Sequence, residues 1–294
     1  MKILFLILAV TTSLMAETRS SQVGLAYTAG PEEYKSQSVD GIVGISEKWQ
    51  LLGSYFRSDS GIAPLTGEKL ISSEGRLGAD WVFHPSWNIY LEAISRKDPY
   101  ELYGRGGAIG VGANVSDFWN SEKRTRIALT LQQIKFEQDV TFVGARGSLN
   151  VARAVDQRLA TLSVSQEILK WLELGLTLSR YNYTGESNQL AFATARRRTS
   201  LGSSGPTYGL PDQTRSLSMT LSPLEWMETS LIGSRTKLLS EGEAESKTLT
   251  IEQLFFWRDL IIGAEYTTST FSDNVSGEDP ATQSYVGGSL GYSW

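Results

Sequence analysis

Ionised side chains recur in this chain at every second position, on the face opposite leucine. Glu74, Arg76, Asp80, Glu92, Arg96, Arg124, Arg126, Glu173, Glu228, Glu252 and Glu265 form that set, and its carboxylates outnumber its guanidinium groups. Such groups can move protons, hold a metal or line water. The first two uses find little support. The single histidine, His84, stands beside Pro85 in a short turn, and there is no cysteine. A serine or cysteine hydrolase generally needs a histidine as base or orienter, and one histidine without cysteine does not make a zinc site of the usual kind. No Asp/Glu spacing supports a carboxylate-only enzyme. Gly104-Arg105-Gly106-Gly107-Ala108-Ile109-Gly110 is glycine-rich, but it opens a strand pattern rather than a helix and is a poor phosphate cradle. The expectation is a chain with no catalytic residue, cofactor or metal. What remains is electrostatic: so many ionised groups need water beside them, because they cannot sit in a dry core.

The elements that would position these groups are strands. Leu172, Leu174, Leu176 and Leu178 alternate with Glu173, Gly175, Thr177 and Ser179. Leu217, Met219 and Leu221 alternate with Ser216, Ser218 and Thr220, and Val286 to Trp294 continues the pattern at the C-terminus. Period two of this kind reads as β-strand with two unlike faces. The pattern predicts fourteen strands, with twelve or sixteen as alternatives. Their cores are 22–30, 34–46, 49–58, 68–83, 87–96, 103–115, 123–137, 147–165, 171–183, 214–222, 226–238, 245–257, 258–270 and 282–294. Alternation slips near Gln133 and Ile134, which suggests a bulge. Leu51 and Leu52 leave the third strand's register open. Leu190, Phe192 and Thr194 could hide a further hairpin.

Tryptophan marks the strand ends. Trp49, Trp87, Trp119, Trp171, Trp226 and Trp257 each sit in or just after a short turn, and Trp294 is the last residue. The indole ring is apolar and its N–H wants a partner, so tryptophan favours the boundary between hydrocarbon and water. The connections on the other side, 31–33, 59–67, 97–102, 138–146, 184–213, 239–244 and 271–281, are longer and polar. Residues 1–16 read as a secretory signal, with Lys2, an apolar stretch Ile3 to Val10 and a small-residue zone ending at Ala16. Eight strongly apolar residues are too few for a membrane anchor. Residues 17–294 then form one domain. No later apolar run approaches the length of a membrane helix. The formal charge of −5 is mildly acidic and gives no sign of a nucleic-acid partner.

Taken together, the signal, the strand pattern, the turn asymmetry and the terminal segment Tyr285-Val286-Gly287-Gly288-Ser289-Leu290-Gly291-Tyr292-Ser293-Trp294 resemble bacterial outer-membrane β-barrel proteins of the porin type. The resemblance spans Val23 to Trp294 and singles out no subfamily. About five residues separate the expected cleavage site from the first strand. That leaves no room for the N-terminal plug of the fatty-acid transporter class, so the likeness leans to the small monomeric porins. It implies an all-β transmembrane antiparallel up-and-down barrel with periplasmic termini. It also implies a last strand read by the barrel-assembly machinery, where phenylalanine is the usual final residue and tryptophan a variant. A soluble secreted all-β protein is the competing fold, since alternation alone does not say which face looks inward.

On the barrel reading, Glu74, Arg76, Asp80, Glu92, Arg96, Arg126, Glu173, Glu228, Glu252 and Glu265 line the lumen, and the seven tryptophans form an aromatic girdle. Asp80, Glu173 and Glu228 lie near the periplasmic mouth. Rings of acidic groups attract cations, so the expected function is passive diffusion of ions and small hydrophilic solutes with weak cation preference. Charges paired or solvated across the lumen would give none. Arg196, Arg197 and Arg198 in the 184–213 loop could form a constriction, bind phosphates of lipopolysaccharide, or simply be solvated. Outer-membrane lipid, lipopolysaccharide, the assembly machinery and small solutes are the expected partners. The alternative function is a non-conducting structural or surface-interaction barrel whose long loops contact lipopolysaccharide, phage or another ligand.

Overall fold

The alternating segments become strands that close on themselves. A computed structural model describes residues 21–31, 33–62, 69–98, 102–116, 123–144, 147–185, 210–239, 244–272 and 280–294. The strands are β1 (Gln22–Ala29), β2 (Lys35–Ser46), β3 (Trp49–Ile62), β4 (Lys69–His84), β5 (Trp87–Asp98), β6 (Leu102–Asn114) and β7 (Thr125–Gly144), followed by β8 (Gly147–Leu169), β9 (Leu172–Gly185), β10 (Leu210–Leu224), β11 (Met227–Leu239), β12 (Glu245–Trp257), β13 (Leu260–Ser272) and β14 (Ala281–Ser293). Each pairs with its sequence neighbours, and β1 pairs with β14 to close the barrel. All pairs are antiparallel, as between β1 and β14, where Leu25 faces Leu290 and Gly24 faces Gly291. Ser21 and Trp294 exchange two main-chain hydrogen bonds of 2.9 Å and extend the seam. Closure leaves no strand edge, so every ladder group finds a partner without water. No described helix is long and apolar enough to cross a membrane; the strands do so.

The two faces are chemically opposite. Leucine, valine and tyrosine stand exposed on the outside, with Leu217 66% and Val286 63% accessible. Ser36, Ser38, Glu74, Asp80, Ser216, Thr248, Glu265 and Ser269 are buried on the inside. That is inverted relative to a soluble sandwich, where the apolar face is the hidden one. A soluble all-β reading is therefore excluded, and the outer apolar belt faces acyl chains. β1 begins and β14 ends on the side of the short turns.

Four sequence expectations change in detail. There is no bulge at Gln133 and Ile134: the β6–β7 and β7–β8 registers run unbroken through them. The apolar residues swap faces because the outer surface leaves hydrocarbon at Gln133, Lys135 and Glu137, while Ile134 and Phe136 on the inner surface pack against apolar neighbours. The 138–146 connection shrinks to 145–146, since β7 and β8 run on to Gly144 and Gly147. In β3, Leu51 is exposed on the outside and Leu52 is half-buried on the inside. Arg124 precedes β7 and is exposed, so it is not part of the wall. Fourteen strands close the barrel; the suspected hairpin around Phe192 and the signal segment lie outside the described residues.

Five of the girdle tryptophans, Trp49, Trp171, Trp226, Trp257 and Trp294, are exposed at the periplasmic end, and Trp87 is half-buried there. Trp119 lies outside the described residues. The girdle has members the turn pattern did not reveal. Trp81 stacks on Trp49 with ring centres 5.6 Å apart, Phe255 stacks on Trp226 at 6.3 Å, and Tyr292 on Trp294 at 6.0 Å.

Candidate functional site

The interior is the candidate site, and its wall divides into two arcs. The first runs from β4 to β9. In antiparallel register Glu74 faces Arg96, Gly78 faces Glu92 and Asp80 faces Tyr90. Arg76 stands between these rows and donates from Nε to Glu74 Oε1 at 2.6 Å and from Nη1 to Glu92 Oε2 at 3.0 Å. Both are charge-assisted and sheltered from water, where such bonds are strong. Asn88 Nδ2 donates to Asp80 Oδ1 at 2.5 Å. The Arg96 guanidinium lies over the Phe136 ring, 5.9 Å from its centre.

β6 makes room for these large groups. Its inward positions Gly104, Gly106, Ala108, Gly110 and Gly112 carry almost no side chain. A Cβ on Gly104 would meet the Phe136 ring at 2.8 Å, and one on Gly110 would approach Tyr90 at 3.4 Å. The glycine-rich stretch that fails as a phosphate cradle is thus the floor on which neighbouring side chains rest. At Gly106 a Cβ would collide with the main-chain oxygen of Gln133, so the β6–β7 approach itself requires glycine.

Beside the ion cluster, on β5 to β8, the same arc turns apolar. Ile94, Ala108, Ile134, Phe136 and Val155 form a buried cluster, with Tyr90 and Tyr183 packed against it. The Tyr183 hydroxyl accepts from Gln157 Nε2 at 2.8 Å and donates to the Pro211 carbonyl at 3.0 Å. That two-sided tether holds the ring against the cluster while satisfying its polar end. A cavity of about 1450 Å³ is bounded by the wall at Gly78, Glu92, Ala108, Gln132, Leu159 and Tyr181. The sequence expectation of small and ionised groups alone around the lumen does not hold here.

The second arc runs from β10 through β14 to β2, and hydroxyl groups dominate it. Thr214 and Thr236 lie 3.0 Å apart, Thr220 and Ser230 3.2 Å, and Thr250 and Thr267 2.9 Å. The pattern reaches back into β8 and β9, where Thr161 meets Ser179 at 3.0 Å and Ser163 meets Thr177 at 3.2 Å. Cross-strand hydroxyl pairs of this kind tie adjacent strands together. The carboxylates here have hydroxyl partners. Glu265 Oε1 accepts from Thr267 at 2.8 Å, and Glu228 Oε2 accepts from Ser222 at 3.3 Å. Glu252 stands directly opposite Glu265. They are 7% and 9% exposed, and Glu252 Oε2 has no hydrogen-bond partner among the described residues. Glu173 faces Arg126 at 3.8 Å near the periplasmic mouth.

The structure therefore sorts the sequence-derived residues into groups. Glu74, Arg76 and Glu92 form an ion cluster. Asp80 lies below it, paired with Asn88, and Arg96 stands directly opposite Glu74, its guanidinium over Phe136. Arg126 and Glu173 form a looser pair, and Glu228, Glu252 and Glu265 line the opposite arc. Arg196, Arg197 and Arg198 lie outside the described residues. Sequence reasoning missed Asp40, Asn88, Tyr90, Tyr181 and Tyr183. Asn88 and Tyr90 share the parity of Glu92, and that was the available signal. The groups in three dimensions come from register across strands, which no single strand announces.

No family model matches the chain, and no curated protein matches it. Solved structures do. The CymD monoaromatic hydrocarbon channel is similar with a TM-score of 0.59 and 13% identity, over 96% of this chain and 89% of that one. The Pseudomonas putida toluene transporter TodX is similar with a TM-score of 0.54 and 10% identity, over 97% of this chain and 91% of that one. At such identities the likeness is one of fold: a closed barrel of the kind found among bacterial outer-membrane channels.

Proposed function

We propose that the protein is a passive outer-membrane channel for ions and small hydrophilic solutes, with a weak preference for cations, and not an enzyme. The observation that carries this reading is the pairing of charge. Arg76 answers Glu74 and Glu92 within one arc, whereas Glu228, Glu252 and Glu265 on the other arc have hydroxyl or no partners. Uncompensated carboxylates along a hydrated wall concentrate cations and repel anions. Planar-bilayer recording of the refolded protein under a potassium chloride gradient tests it. The expected result is stepwise conductance with a reversal potential on the potassium side. Absence of steps would reject an open pore. If deleting 186–210 then restores steps, the plugged-barrel alternative gains support instead.

A second reading is favoured by the apolar cluster and the adjoining cavity. Tyr181, Leu159, the ring of Tyr183 and the Ile94–Phe136 cluster present apolar surface to the interior. A small aromatic solute, of the class for which the CymD and TodX channels are named, would suit that surface. Uptake of toluene into proteoliposomes, compared with empty liposomes, separates this reading from a purely hydrophilic path. The outward Tyr292 and Trp294 of the last strand fit the proposal that the assembly machinery reads the C-terminus.

A further inference from the structure

Cations line up where they should repel. On the outer face of β10, β11 and β12, Arg215 stands directly opposite Arg235, and Arg235 directly opposite Lys247. Directly opposed side chains sit about 5 Å apart at Cβ, and like charges there are destabilising. One pair higher, Lys237 continues the row across from Gln213, and Gln213 faces Arg180 on β9. Glu245 is shared between two members: its carboxylate contacts Arg235 Nη2 at 2.5 Å and Lys247 Nζ at 3.0 Å. Arg215 bonds the neutral amide oxygen of Gln213 at 3.2 Å. Five cations against one carboxylate leave a strongly positive, solvent-exposed patch.

Its height is the second observation. The next outward row toward the periplasm is Leu217, Gly233 and Leu249, with Leu217 and Leu249 exposed to acyl chains. Two residues along a tilted strand rise roughly 5 Å. The patch therefore begins where hydrocarbon ends, on the side away from the tryptophan girdle. Phosphate groups of the outer leaflet lie at that level.

We infer that Arg180, Arg215, Arg235, Lys237 and Lys247 form a binding site for the phosphorylated headgroup of an outer-leaflet glycolipid. The guanidinium forks grip phosphate oxygens in two-point fashion, and the anion relieves the repulsion that the register imposes. The site is on the outer wall and is independent of what passes through the barrel.

The test is a titration of fluorescent bisphosphorylated lipid A into the full-length refolded barrel in micelles. R215Q/R235Q/K247Q should bind at least about tenfold more weakly, because each basic group near an anionic surface contributes on the order of one kcal/mol. R215K/R235K, which keeps the charge, should retain most of the affinity, and R57Q, an outward cation on β3, should be unchanged. Heat-modifiable migration on a gel verifies that each variant is folded. Equal affinity of the triple variant and the unaltered protein would overturn the assignment. So would displacement of lipid A by inorganic phosphate at the same concentration, which would mark a bare anion site.

Discussion

Between β4 and β9 the barrel interior is filled, whereas from β10 around to β2 it is lined. Both arcs turn apolar side chains to the hydrocarbon, and they differ in what stands inside. On the filled arc, tyrosine, phenylalanine and arginine reach over the glycines of β6 and meet across strands. On the lined arc, serine and threonine are short and pair close to the wall. The first arc therefore carries bulky groups that pack on one another, and the second a layer of small hydroxyl groups. A barrel of fourteen strands is too wide to be closed by small residues alone.

The sharpest way to break the contrast is to strand charges on the filled arc. Arg76→Met removes the cation that bridges Glu74 and Glu92 in a sheltered site. Removing one partner of such a cluster should cost about 3–5 kcal/mol, read as a lower urea midpoint for the heat-modifiable form. Adding Glu74→Gln and Glu92→Gln to the same chain should recover much of the loss. If Arg76→Met alone is neutral, the cluster does not rigidify the wall.

Phe136→Ala should act on the same arc with a smaller penalty, about 3 kcal/mol for a large buried ring, and should raise single-channel conductance by widening the bore. A conductance unchanged by this truncation would mean that the path runs elsewhere. On the lined arc, joint replacement Glu252→Gln and Glu265→Gln removes two opposed carboxylates. It should leave stability unchanged or improved, since like charges in register repel. It should also lower the potassium-to-chloride permeability ratio by roughly twofold. An unaltered reversal potential would end the proposal that this pair sets selectivity.

Much of this architecture was legible in the residues. Strand number, order and most boundaries followed from period two, because a leucine that faces lipid and a glutamate that faces water cannot trade places without a one-residue slip. The girdle followed from tryptophan at the turns. The filled arc was not legible, and the physical reason is visible at Ile134 and Phe136. Once a strand rises above hydrocarbon, nothing requires its outer face to be apolar, so Lys135 and Glu137 sit outside and the apolar residues turn in. From one strand alone that exchange looks like a slip in register. Pairings such as Arg76 with Glu92, sixteen positions apart, depend on the offset between neighbouring strands. The tripled cations of β10 to β12 were hidden for the same reason.

The finest comparison concerns a single hydroxyl relay on the lined arc. Thr267 is fully buried and gives its one proton to Glu265 Oε1 at 2.8 Å. Its contact of 2.9 Å with Thr250 must then run the other way, with Thr250 donating. Thr250→Val removes the donor and leaves the Thr267 oxygen still bonded through its proton, so the loss should be near 1 kcal/mol. Thr267→Val also deprives Glu265 of its donor, beside Glu252, and should cost more. If the two single variants and the double variant are equal in urea, all three remove only the Thr250–Thr267 bond, and Glu265 draws no support from it. A larger loss for Thr267→Val, nearly unchanged by adding Thr250→Val, would show that the arc holds its carboxylates in place through the hydroxyls that line it.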